Sequence, residues 1–291
     1  MNLSFIYHIL ISAMIFYILV SWFKFFLKLR GTMDFSYLAI VIFWSYLWAI
    51  LNIKFWIWIL WSIWFSFLIS MGFTFIILFL SSKLDDVYFS IWTLTVYILV
   101  YQLALNMDWI TWWAFWLSGM TQNIIWNISI HWLQEFLVFI LIFVFFIIAI
   151  LLFIKKTYFY KILQWRWEHE TVIKTLWIKI RTYKFFMIAL TTLLAVVWWN
   201  LFWFYYLYID PSSFWLTLLT LLVVIAFVSY KFNDLWTVLV SVIVLFVYEY
   251  LRFFKIVDPS KIWYFREIIF AIVIMIVSFF IFRKVKFGRD H

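Results

Sequence analysis

Cysteine is absent from the 291 residues, which excludes a disulfide framework, a thiol nucleophile and any thiolate-ligated metal. Proline appears twice and glycine four times, so collagen-like repeats and glycine-rich phosphate loops are excluded as well. Charged residues are only 12% of the chain, against about 25% in a soluble domain, and 69% is apolar or aromatic. No single core of this size hides that much apolar surface from water, whereas lipid solvates it directly. The chain reads as a multi-pass membrane protein.

The glycine deficit is the sharper anomaly. Average usage would give about 20 in a chain of this length, and membrane helices use more glycine than soluble ones. Tryptophan, at 23, is in excess by a similar amount. The formal charge of +9 does not point to nucleic acid, because cytoplasmic loops rich in Lys and Arg give a membrane protein this excess.

Apolar runs of about 20 residues predict an all-α integral membrane protein. It would be a helical bundle of about nine transmembrane helices, within a range of about eight to ten. The spans fall near 5–27, 35–53, 55–80, 87–106, 133–154, 185–208, 214–230, 235–253 and 264–282. A β-barrel is excluded because the run at 136–154 shows no alternation of polar and apolar residues. The chain opens without a positive n-region or an A-x-A-like cleavage site, so its first run reads as a retained span. The termini then lie on opposite faces. With the N-terminus outside and the C-terminus cytoplasmic, only Lys54, Arg252, Lys255, Lys261 and Arg266 of the 22 Lys and Arg fall at outer ends, as the positive-inside rule requires.

Two loops stand out, an outer one at 107–132 and a cytoplasmic one at 155–184 that holds Lys155, Lys156, Lys161, Arg166, Lys174, Lys179, Arg181 and Lys184. Within the second, Glu168, His169 and Glu170 precede Val172, Ile173 and Leu176, a spacing that predicts a short helix with one apolar face. Such a helix needs a partner to cover it.

Residues able to carry chemistry are few. His8, His131, His169 and His291 are scattered along the chain and predict no metal site. Asp85 and Asp86 could hold Mg²⁺, but a helix N-terminal dipole accounts for them without a metal. Glu249 and Arg252 are three apart near the outer end of a span and read as a local ion pair. No cofactor site is apparent, and without a phosphate loop any active transport must draw its energy from another subunit.

Four stretches resemble the permease subunits of branched-chain amino acid ABC importers, the Liv type. VYFSIWTL at 87–94 resembles that family's Y-F-A-I-x-T-L, and LNMDWITWWAFWLSG at 105–119 its N-W-x-x-L-T-G-G-x-x-G-x-x-G. WEHETVIKTLWI at 167–178 is similar to R-E-D-E-x-A-A-x-x-L-G-I, followed by Lys184 and then DPSSF at 210–214 for S-P-x-S-F. YEYLRFF at 248–254 with WYFREIIF at 263–270 resembles P-E-L-L-R and Y-R-x-L-I-F. The resemblance implies a single permease domain over 1–291 in the cytoplasmic (inner) membrane, with no catalytic residue and no ATPase site of its own. It implies that Arg166, Glu168, His169, Glu170, Val172, Ile173, Leu176 and Trp177 form the coupling helix that docks on a cytoplasmic ATPase. It implies more weakly that Asp108, Thr111, Trp112, Trp113, Trp116, Ser118 and Gly119 face the pathway or a binding protein. The implied partners are two ABC ATPase subunits, a second permease and an extracytoplasmic substrate-binding protein, with no nucleic acid. The departures are Val172 and Ile173 in place of two alanines, His169 in place of Asp, and a glycine-free SYKFN at 229–233.

On that alignment Trp112, Trp113, Trp116, Trp177 and Trp199 stand at glycine positions, and Trp198 and Trp203 at small-residue positions. An indole cannot serve the turns and close helix approaches that glycine serves there. The pattern points to UGA codons that the source reads as Gly. A truly Trp-rich chain with interfacial belts is the alternative. Two other functional readings stand beside the importer. One is an integral-membrane Mg-dependent transferase for a lipid-linked substrate, using Asp85, Asp86 and Glu168, His169, Glu170. The other is a purely structural membrane subunit.

Overall fold

The computed structural model describes residues 3–30, 33–55, 59–81, 84, 86–106, 117–118, 123–125, 128–129, 132–162, 180–209, 216–251 and 262–282. Nine long helices occupy them: α1 (Leu3–Arg30), α2 (Ser36–Phe55), α3 (Ile59–Ser81), α4 (Asp86–Asn106), α5 (Leu133–Lys156), α6 (Ile180–Tyr206), α7 (Leu216–Val228), α8 (Asp234–Tyr250) and α9 (Ile262–Phe282). Each coincides with one apolar run, and the all-α class stands. The extended pairs among the described residues are two short antiparallel ladders, β1 (Leu117–Ser118) with β4 (Tyr208–Ile209) and β2 (Asn123–Ile125) with β3 (Ile128–Ser129). They fall within and opposite the outer loop, where sequence alone gave no strand.

Composition shapes the packing. On α5, Phe136, Ile140, Val144, Ile147, Leu151 and Ile154 form one buried helical stripe. The opposite face carries Val138, Leu141, Ile142, Phe145, Phe146, Leu152 and Phe153, all exposed. A helix equally apolar on both sides cannot rest in water, and lipid is the solvent that accepts its outer face. By length and apolarity, Leu3–Lys28 in α1, Tyr88–Asn106 in α4 and Leu133–Lys156 in α5 are each sufficient to cross a bilayer. Ser36–Tyr46, Trp61–Gly72 and Thr217–Val228 add shorter apolar stretches.

Helix α1 is the axis. It spans about 42 Å at the usual rise, more than the roughly 30 Å of a hydrocarbon core, and its residues from Ile11 to Leu27 are buried on every side. Helices α5, α6, α7 and α8 pack directly on it. Helix α6 in turn carries α2 and α3, α2 carries α4, and α7 carries α9.

Side-chain ties sort the helix ends into two groups. At the near end, where α1 starts, His8 meets Tyr205 in the last turn of α6. Phe136 at the start of α5 stacks on Phe204 there, and the β1–β4 ladder follows immediately. At the far end, the finish of α1 meets Phe232 and Thr237 at the turn into α8. Lys155 at the finish of α5 pairs with Asp234 at the start of α8. The start of α2 belongs to the far end too: Phe35 packs on Phe23 of α1 at 5.8 Å, and its N–H donates to Thr93, seven residues into α4, at 3.3 Å. Successive helices therefore run in alternating directions.

Local caps fix several ends. The Asp34 carboxylate accepts from the Ser36 backbone N–H at 2.9 Å and opens α2. Glu135 accepts from the Trp132 N–H at 3.4 Å at the start of α5, and the Thr157 hydroxyl donates to the Ile154 carbonyl at 2.6 Å at its finish.

The two faces of α5 make a direct test. Ile147→Ala opens a cavity on the buried stripe and is expected to cost about 2–5 kcal/mol, whereas Phe146→Ala on the exposed face should leave stability within about 0.5 kcal/mol. Thermal unfolding in a mild detergent separates the two, and equal losses would contradict the assignment of faces.

Candidate functional site

The residues that the sequence singled out for coupling, Arg166, Glu168, His169, Glu170, Val172, Ile173, Leu176 and Trp177, lie outside the described residues. So do Asp108, Thr111, Trp112, Trp113, Trp116 and Gly119 of the outer loop, while Ser118 is placed in β1, paired with Tyr208. That pairing puts part of the outer loop at the near end, beside the finish of α6. Asp86 opens α4 and Asp85 lies outside the described residues. Arg252 lies outside them too, so the Glu249–Arg252 pair cannot be described.

What the structure brings together is polar chemistry at three levels of the bundle. The first is the near end. His8 Nδ1 and the Tyr205 hydroxyl share a hydrogen bond of 2.7 Å, and the Ser12 and Tyr206 hydroxyls share one of 3.1 Å. The His8 ring stacks on Tyr205 at 5.7 Å and meets the edge of Tyr206 at 6.2 Å. On the other flank, the Arg266 guanidinium lies over the Tyr248 ring at 4.2 Å, and the Thr220 hydroxyl donates to Glu267 at 2.9 Å. The first stretch of α9 is thereby tied to both α7 and α8.

The second level lies inside. Ser62, Ser66 and Ser70 recur every four residues on one face of α3 and are all buried. On α6, Thr192 and Asn200, eight apart, are buried as well. The Ser62 hydroxyl donates to the Asn200 side-chain oxygen, and the Asn200 amide donates to the Val196 carbonyl at 2.8 Å. This polar seam joins α3 to α6 in surroundings that are otherwise apolar. Hydroxyl and amide side chains join membrane helices in this way.

The third level is the far end, and it is the most charged. Lys24 is 2% exposed, yet its ammonium is satisfied, donating to the Phe232 carbonyl at 2.8 Å and to the Thr237 hydroxyl. Lys28, one turn on, reaches the same carbonyl at 3.5 Å and lies over the Tyr230 ring at 5.8 Å. Lys155 pairs with Asp234. Tyr160, in the turn of helix at 158–162, packs its ring on Phe25 at 5.6 Å. Burial first, and the nearby Asp234 carboxylate second, raise the Tyr160 hydroxyl above its ordinary value, so it stays neutral at physiological pH.

Sequence reasoning missed Lys24, the serine stripe and Asn200. A signal existed for the stripe, since polar residues at a four-residue interval within an apolar run mark one helix face.

This architecture defines the class: an all-helical integral membrane protein whose polar groups gather at its two ends and in one internal seam. The chain belongs to the family described as branched-chain amino acid transport system / permease component, which matches residues 5–278. No curated protein and no solved structure matches it. It is therefore a membrane transport component, and the recognised resemblance extends well beyond the four stretches that first carried it.

Asp234 is the carboxylate facing three ammonium groups, so Asp234→Ala is expected to destabilise the far end by about 1–3 kcal/mol. This is less than the roughly 3–5 of a fully buried pair, because Lys155 is 31% exposed. The double change Asp234→Asn with Lys155→Gln should recover part of that loss in thermal unfolding, and no recovery would contradict a pairwise role.

Proposed function

We propose that this chain is the membrane-spanning permease subunit of an ABC importer. It moves branched-chain or other hydrophobic amino acids across the cytoplasmic membrane on ATP hydrolysed by separate subunits. The family match over 5–278 carries the reading, and the lack of any glycine-rich phosphate loop fits energy supplied from outside the chain. In this reading the chain performs no chemistry. It works with two cytoplasmic ATPase subunits, a second permease and an extracytoplasmic binding protein, and it alternates access as the ATPases close and open.

The far end is the cytoplasmic one. Lys24, Lys28, Lys155, Lys156, Lys161 and Lys231 all belong to it, which is the asymmetry the positive-inside rule describes. The N-terminus is then outside, the outer loop at 107–132 faces the binding protein, and the loop at 155–184 faces the ATPases with Arg166 to Trp177 as its docking helix.

The same reading extends to the tryptophans, several of which stand for glycine in the native protein through UGA recoding. Trp198, Trp199 and Trp203 are fully buried in α6, with Trp199 packed at an angle on each of the other two and Trp198 stacked on Phe202, whereas belt tryptophans reach the membrane–water interface. The indole N–H groups of Trp44 and Trp198 find no acceptor, although buried indoles ordinarily do. Gly72, by contrast, stands where an added Cβ would touch nothing. Glycine at 199 and 203 would give α6 a small-xxx-small face for close approach of a neighbouring helix.

Two measurements test these points. Proteoliposomes holding this chain with its native ATPase and second permease are expected to take up leucine only with ATP and binding protein, and Asp85→Ala should leave uptake unchanged. ATP-independent flux, or loss of a metal-dependent activity in Asp85→Ala, would overturn the importer reading. Mass spectrometry of the native protein should give an intact mass below 36.0 kDa, with glycine in the peptides covering 198, 199 and 203. Tryptophan there would end the recoding proposal.

A further inference from the structure

The far-end cluster holds more positive charge than its own contacts neutralise. Lys24 and Lys28 converge on one carbonyl oxygen, that of Phe232, so their ammonium groups lie side by side. Lys155 joins them through Asp234, which begins α8 one turn before the Thr237 that Lys24 also reaches. Among the described residues of this cluster, three lysines face one carboxylate. Lys24 is sealed inside, but Lys28 is exposed and Lys155 half-buried, so two of the three present donors outward. Each ammonium carries three N–H groups, and Lys28 places one on a carbonyl at the long limit of 3.5 Å.

The surface around the cluster is apolar and aromatic. In the turn of α5 that leads to Lys155, Leu152 and Phe153 are exposed, and in the first turns of α8 so are Leu235, Trp236 and Leu239, all apolar. Tyr158, 82% exposed, and Phe232 add aromatic rings at the same level. A cationic spot flanked by aromatic rings and continued along the helices by bare apolar surface has the layout of a phospholipid. The phosphate would sit at the ammonium groups and the acyl chains along the helices below.

We propose that Lys28 and Lys155 bind the phosphodiester of an anionic phospholipid whose acyl chains lie on the exposed faces of α5 and α8. The lipid neutralises the surplus charge and ties α1, α5 and α8 together at one end. The site depends on the membrane location alone, so it can fail while the importer reading stands, and the reverse.

The test uses the full chain in nanodiscs of phosphatidylcholine, with and without phosphatidylglycerol, read by native mass spectrometry of retained lipid and by thermal unfolding. The wild type should retain phosphatidylglycerol in preference and unfold at a higher temperature with it, and Lys28→Gln should lower that retention about fivefold. Lys28→Arg, which keeps the charge, should retain lipid as the wild type does and guards against a mere folding defect. Equal retention of both lipids, or unchanged retention in Lys28→Gln, would overturn the proposal. So would equal stabilisation by inorganic phosphate in detergent, which would make the site one for a free anion. Loss of ATPase association in Lys28→Gln with lipid retention intact would assign the cluster to a protein partner and overturn it too.

Discussion

The burial of α1 on all sides is the constraint from which the rest of the architecture follows. A helix with apolar residues around its whole circumference can be lodged inside other helices without leaving a polar face uncovered. Four helices take positions on it, α2, α3 and α9 attach to those, and α4 attaches to α2. Its two ends are held by different chemistry. His8 and Ser12 reach tyrosine hydroxyls at the near end, while Lys24 and Lys28 reach a turn carbonyl at the far end. The axis therefore registers α6 at one membrane face and α8 at the other.

A permease must let its helices shift without losing this register. The ties at the ends of α1 are polar and few, whereas the contact along its length is apolar and nondirectional. The Lys155–Asp234 pair adds a direct link between α5 and α8 at the far end.

Most of the helical layout was legible in the sequence, because runs such as 136–154 are too long and too uniformly apolar to be anything but helices in lipid. The central place of α1 was not. Periodicity reports which face of a helix is covered, and a helix apolar all round has no face to report. The same uniformity hid Lys24, which sits one turn from the end of its span and reads on paper as a side chain reaching for water. The structure turns it inward because the Phe232 carbonyl of the α7–α8 turn and the Thr237 hydroxyl in the first turn of α8 wait there. The short β1–β4 ladder was illegible for another reason: two residues are too few for an alternation to show. As for the candidate site, the spacing of Val172, Ile173 and Leu176 gives a short helix one apolar face but says nothing of where that helix sits. Sequence could name Glu168 to Trp177 by resemblance but could not place them against the bundle.

The central claim is that helices run alternately between two membrane faces, with the lysine-rich face inside. The absence of native cysteine makes single-cysteine labelling in intact cells the most direct check. Cysteines at Ser4 and Trp132, both exposed at the near end, should react with an impermeant maleimide added outside, while those at Tyr158 and Lys231 should react only after permeabilisation. Labelling of Ser4 and Tyr158 from the same side would contradict the account.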